Sequence, residues 1–129
     1  MQIHEKTLVV QSHDLDELNH VNNIRYIEWV QDISKEHWEK VTTPQMRSEL
    51  IWVVRKHEVN YFKSAVLHNE ITLRTHIDQN KGPISTRIVE VWDNKANILL
   101  VKASTEWCLL DAKTFRPKRV PEDIAALFQ

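Results

Sequence analysis

Residues 14–41 read DLDELNHVNNIRYIEWVQDISKEHWEKV. The second part of that stretch decides the fold. From Val21, apolar side chains recur at Ile24, Ile27, Val30 and Ile33, with Tyr26 and Trp29 beside them. A strand would alternate every second residue, whereas this spacing suits a helix. The first half of the helix is apolar on most of its circumference, and its second half, QDISKEHWEK, is more polar. The pattern predicts a helix buried at its start and wetter toward its end.

Outward from the helix, the chain reads as strands. Ile3–Gln11 precedes it, and Leu50–Phe62, Glu70–Asp78, Ile84–Trp92 and Ile98–Leu110 follow. Ile71, Leu73, Thr75 and Ile77 share one face of the third run, opposite Glu70, Thr72, Arg74, His76 and Asp78, which is a period of two. The segments QNKGP and DNKAN supply turns, and PEDIAALF reads as a short terminal helix. One apolar helix among five strands is buried only if the sheet curls around it. The expectation is a single α+β domain over residues 1–129, with an antiparallel five-stranded sheet wrapped around one long central helix. Such a sheet has edges to cover, which points to a second copy of the chain.

Composition narrows the function. The formal charge is −1, with basic residues scattered, so neither nucleic acid nor a membrane surface is an expected partner. The start, MQIHEKTLVV, lacks the apolar core of a signal peptide, and no apolar run approaches the ~20 residues of a bilayer span. A cytoplasmic protein is the simplest expectation, and a lone cysteine, Cys108, fits a reducing compartment. Cys108 lies in a strand far from DLDELNH and reads as a structural thiol. Glycine occurs once, at Gly82, which excludes glycine-rich phosphate loops.

The polar run before the helix admits three chemistries. Asp16 or Asn19 can cap the helix. His13, Asp14, Asp16 and His20 carry metal-ligating groups, without an H-x-x-x-H pair. Alternatively, Asp16 is a catalytic carboxylate. His20 then orients it, bonds a substrate or moves a proton, or else is a buried structural histidine. Asn22 and Asn23 either hold the loop or meet substrate.

These residues carry a resemblance. A strand, then D-x-D ending at Asp16, then H-V-N-N-x-x-Y from His20 to Tyr26 at the head of a buried helix, then four strands, resembles the hotdog-fold acyl-CoA thioesterases of the 4-hydroxybenzoyl-CoA thioesterase type. DLDELNHVNNIRYIEW is also similar to the matching stretch of acyl-ACP thioesterases, and EVNYFKSAVLHNEI resembles the family's second and third strands. The resemblance implies hydrolysis of acyl-CoA by Asp16, acting as general base or nucleophile, with His20 beside it. It also implies an oxyanion donor in the backbone amide of Asn23, with Asn22, Asn23 and Tyr26 near the substrate. Coenzyme A would enter as part of the substrate, with no cofactor or metal, and the assembly would be a homodimer or dimer of dimers. Lys63, Arg87, Arg116, Lys118 and Arg119 are the candidate cations for its phosphates. Two positions depart from the pattern: Asn19 stands where many relatives carry glycine, and Leu18 where acyl-ACP relatives carry asparagine. Three rival expectations are an acyl-ACP thioesterase, disfavoured by Leu18, a hydratase, disfavoured because DELNH lacks that class's N-P, and a hotdog domain that binds acyl thioesters without turnover.

Overall fold

In the computed structural model, which describes residues 1–129, the chain runs β1 (His4–Val9), a 3-10 turn (Ser12–Asp14), α1 (Asn23–Val41), α2 (Pro44–Glu49), β2 (Leu50–Tyr61), β3 (Glu70–Lys81), β4 (Ile84–Asp93), β5 (Ile98–Asp111) and α3 (Glu122–Ala126). The strands form one antiparallel sheet in the order β1-β3-β4-β5-β2. α1 packs against the sheet across β1 and β3, and the fold is the expected hotdog arrangement. β3 and β4 join through a two-residue turn between the paired Lys81 and Ile84, where Gly82 takes φ +59. Glycine adopts that left-handed conformation without steric cost. No helix is long and apolar enough to cross a membrane.

The helix differs from its sequence reading in phase. It starts at Asn23, because Val21 is used in a bridge to Leu15. Its buried face is Tyr26, Trp29, Val30, Ile33, Ser34 and His37. That stripe follows 3.6 residues per turn. A strict spacing of three drifts off it, so Ile24 is 66% exposed and Ile27 half-buried. Nor does burial stop midway: His37 is 1% exposed. α2 was not anticipated, although Thr43 and Pro44 announce it. Thr43 Oγ1 accepts from the Met46 N–H (3.2 Å), and Pro44 occupies the first turn, where a missing N–H costs nothing.

The interior divides in two. The larger apolar cluster joins Tyr26, Trp29, Val30 and Ile33 to Ile71, Leu73, Val89, Val91, Val101 and Ala103. The smaller one is Leu50, Leu109, Val120, Ile124 and Phe128. Between them a polar row crosses the sheet. Arg87 is paired with Thr105, and Thr105 with His57. On one side of the row stand Val89, Ala103 and Val59, and on the other Ser85, Trp107 and Val54. His57 Nδ1 meets Thr105 Oγ1 at 2.8 Å. Thr75 Oγ1 donates to the Ile88 carbonyl (2.9 Å) and accepts from Arg87 Nη1 (3.0 Å). Truncating a side chain such as Ile33 in the larger cluster costs ~2–5 kcal/mol.

α1 brings His37 to this row. Arg87 Nη1 donates to His37 Nδ1 at 2.8 Å. A guanidinium has no acceptor, so Nδ1 must be bare. The proton therefore sits on Nε2, which donates to Gln2 Oε1 at 3.2 Å. Burial, then the positive charges of Arg87, His4 and Lys40, lower the His37 pKa from 6.5 to about 4. The unfolded chain takes up a proton near pH 6.5 that the folded chain refuses until about 4. The stabilisation from neutral His37 is thus complete above the unfolded value and is lost as pH falls through that window. The loss is on the order of 3 kcal/mol. Imidazole NMR titration should find His37 neutral at pH 5, and a midpoint near the free value would show that His37 is neither buried nor held against Arg87.

Candidate active site

The corner is built around Asp14. β1 ends at Val9, and Val10 is buried and bonded to the far loop, its N–H to the Asn69 carbonyl (2.9 Å) and its carbonyl to the His68 N–H (3.1 Å). The chain then turns, and Asp14 Oδ2 accepts from the Gln11 N–H at 2.8 Å. Asp14 Oδ1 accepts from Arg25 Nε at 2.7 Å, with the Asp14 side chain only 2% exposed. The Asp14 carbonyl accepts from the Asn22 N–H at 2.9 Å. Three bonds from one residue thus join the end of β1 to the start of α1.

The loop from Leu15 to Val21 closes on itself. Asp16 N–H donates to the His20 carbonyl (2.7 Å), and Asn19 N–H to the Asp16 carbonyl (3.1 Å). Asn19 sits at φ +61. Glycine takes that conformation most readily, and asparagine tolerates it better than most other residues. Asp16 is half-buried. Its Oδ1 accepts from Leu18 N–H (2.9 Å) and His20 N–H (3.2 Å), and its other oxygen has no donor from the chain.

Helix capping falls to Asn22, not to Asp16 or Asn19: Asn22 Oδ1 accepts from Ile24 N–H at 3.0 Å. With the Asn22 N–H already held by Asp14, the first unclaimed amide of the helix is that of Asn23, an exposed residue. His20 is exposed and its ring is unbonded, so the buried structural histidine is not what the fold contains. Tyr26 is buried in the larger cluster. Its hydroxyl accepts from Ala65 N–H at 2.9 Å, and its ring meets Trp29 and Tyr61 edge-on. Burial, the largest influence, raises the Tyr26 pKa. The Ala65 carbonyl in turn accepts from Val21 N–H (3.0 Å), and His20 bridges to Val66. Leu18, Ile24, Tyr61, Phe62, Val66 and Leu67 are exposed apolar side chains on these segments.

Other candidates lie elsewhere. His13 Nε2 comes within 3.4 Å of Asp14 Oδ1, but no three metal-ligating side chains converge. Cys108 is half-buried on β5. Lys63, Arg116, Lys118 and Arg119 are exposed, whereas Arg87 is 4% exposed and cannot reach a nucleotide at the surface. The Asp14–Arg25 pair escaped the sequence reading. Nothing in an aspartate and an arginine eleven positions apart announces a contact.

A curled antiparallel sheet on one helix is the hotdog fold, and solved structures of thioesterases share it. The probable thioesterase YbaW of Escherichia coli superposes with TM-score 0.86 at 21% identity, covering 95% of this chain and 94% of that one. SAV2348 of Staphylococcus aureus, solved in complex with CoA, gives 0.87 at 14% identity, covering 98% and 81%. The 12:0-ACP thioesterase of Umbellularia californica gives 0.84 at 18% identity, covering 98% of this chain and 54% of that one. Residues 2–128 match the family model of the acyl-ACP thioesterase N-terminal domain, and the chain belongs to that family. Thioester hydrolysis is the chemistry that family membership assigns. Among curated proteins none matches the sequence.

Breaking a buried ion pair from one side costs ~3–5 kcal/mol, less where the remaining partner reaches water. Arg25 is 29% exposed, so Asp14→Ala should cost about 3 kcal/mol in urea unfolding, and Arg25→Met should cost at least as much because it strands the more deeply buried charge.

Proposed function

We propose that the chain hydrolyses acyl-CoA thioesters, with Asp16 as the reacting carboxylate. One observation carries this reading. A half-buried carboxylate has one oxygen fixed by two backbone N–H groups and the other free of chain donors, in the loop before a helix whose first available N–H has no acceptor. The fixed oxygen sets the orientation, and the free oxygen can accept a proton or attack.

As base, Asp16 takes a proton from water while the water oxygen bonds the thioester carbon. The carbonyl electrons move onto oxygen, where the Asn23 N–H and the positive end of α1 stabilise them. Collapse restores the carbonyl and breaks the C–S bond, and the proton passes to the departing sulfur. As nucleophile, Asp16 forms the new C–O bond itself, the C–S bond breaks and the thiolate leaves, giving an anhydride that water then cleaves to the two carboxylates. One oxyanion donor is worth ~2.7–4 kcal/mol. The exposed, unbonded His20 ring is free to contact the carbonyl or carry the proton to sulfur. Asn22 serves as the cap that aims the Asn23 amide. Tyr26 supports the loop beneath the acyl group through Ala65. No metal or cofactor is needed for these steps.

Coenzyme A as the thiol draws support from the CoA complex of SAV2348. The exposed apolar side chains around the corner and the free edges of β1 and β2 favour a homodimer, or a dimer of dimers, whose partner closes the acyl site. A second reading follows from the bonds Asp16 already makes. If they are purely structural, the domain binds acyl thioesters without turnover.

A panel of aliphatic and aromatic acyl-CoA esters, followed by trapping of free thiol, separates the two readings. Wild-type protein should release thiol. Asp16→Asn should keep its circular dichroism and lose ~10²–10⁴-fold in turnover. Undiminished turnover in that variant removes Asp16 from the chemistry, and tight binding without thiol release by wild type establishes the second reading.

A further inference from the structure

A cavity of about 240 Å³ lies at the opposite end of the fold from the Asp16 corner. Its walls are apolar and largely aromatic: Trp38, Trp52, Phe128, Leu50, Val120 and Ile124. Lys35, Glu39 and Asn80, all exposed, and the half-buried Arg47 stand at its rim. The polar groups in its deep wall are Ser34, whose hydroxyl donates to the Val30 carbonyl, Ser85, which is 3% exposed, Arg87 and the Trp107 indole.

The donors there outnumber their acceptors. Arg87 is a nearly fully buried cation with no carboxylate partner. It donates from Nη1 to His37 and Thr75, while its Nε and Nη2 make no bond within the chain. Trp107 Nε1 is buried without an acceptor. Arg87 lies over the Phe128 ring, 5.8 Å from its centroid, but no carboxylate balances its charge, and the Trp107 N–H has no partner to replace water. Burial lowers the Arg87 pKa only to about 10, so it stays charged at neutral pH.

We propose that this cavity is a binding site for a small hydrophobic carboxylic acid, held carboxylate-first by Arg87 and Trp107 with its tail among Trp38, Trp52 and Phe128. A carboxylate supplies the planar pair of acceptors that a guanidinium edge takes, while the apolar wall takes the remainder. The volume holds roughly eight water-sized groups, which suits one ring or a short chain. Ser34 lies eleven residues along α1 from Asn23, about 16 Å at 1.5 Å per residue. An acid that fills the cavity is too short to span that distance, so this site is separate from the proposed thioester corner.

Tryptophan fluorescence reads the site directly, because Trp38, Trp52 and Trp107 line it. Folded wild-type protein is titrated with hexanoate and benzoate and, in parallel, with hexanol and benzyl alcohol. The acids should saturate at concentrations at least tenfold below the alcohols, and the tighter of the two acids identifies a chain or a ring as the natural tail. Trp107→Phe, which removes the N–H and keeps an aromatic ring, should weaken the acids several-fold and leave the alcohols unchanged. Arg87→Met should abolish the preference; if it fails to fold, Arg87→Lys, which keeps charge without the fork, should reduce it. Acid binding should survive in Asp16→Asn. Equal affinity for acids and alcohols, absence of saturation, or loss of acid binding in Asp16→Asn overturns the proposal.

Discussion

The buried carboxylate of Asp14 is the contact on which the rest of the corner depends. It holds Arg25 on α1 and the Gln11 amide at the end of β1, while the Asp14 carbonyl holds the Asn22 amide. Those bonds determine where α1 begins. They consume the Asn22 N–H, leave Asn22's side chain to cap the next turn, and make the Asn23 N–H the first one available to a ligand. Removing the charge would leave the cap and the Asp16 loop without their common anchor. The DLD pair thus splits its labour, with Asp14 structural and shielded from water, and Asp16 half-buried with an oxygen to spare.

The polar row Arg87–Thr105–His57 imposes a second constraint. Buried polar groups need partners, and each member of the row makes at least one bond within the fold, down to the tautomer of His37 that Arg87 enforces, while Arg87 Nε and Nη2 stay unbonded. The row keeps the two apolar clusters from merging into one core. A hotdog helix packed only on aliphatic residues would need no such division, so the row marks the place where this chain departs from simple packing.

Much of the architecture was legible because it rests on local rules. The two-residue alternation of Ile71, Leu73, Thr75 and Ile77 is set by the pleat, and these residues do face inward. The turn at Gly82 follows from backbone sterics. Helix phase was less legible, since Ile24 looks as apolar as Ile33 but lies on the opposite side of a 3.6-residue turn and meets solvent. The site was legible as a motif rather than as a geometry. DLDELNHVNN announced a carboxylate near a helix start, but not that Asn22 caps, that Asn19 needs a positive φ, or that Asp14 pairs with Arg25. These depend on contacts between segments, as does the burial of Arg87, which by sequence alone resembles any surface cation.

The unequal halves of the interior place the two sites at different ends for a physical reason. Fourteen buried residues pack beneath the Asp16 corner, but only five form the core at the other end. Electrostatic stabilisation of a developing oxyanion requires donors that do not relax when the charge appears, and such rigidity comes from dense packing underneath. Tyr26 transmits it, since its ring belongs to the large cluster while its hydroxyl fixes Ala65 in the loop that bridges to His20. The far end is closed by two short helices and a handful of aromatic side chains, too few to fill the space above the polar row. The resulting cavity inherits the row's excess of N–H donors, so the division that concentrates packing beneath the Asp16 loop also leaves a positively charged pocket at the opposite end of the same helix.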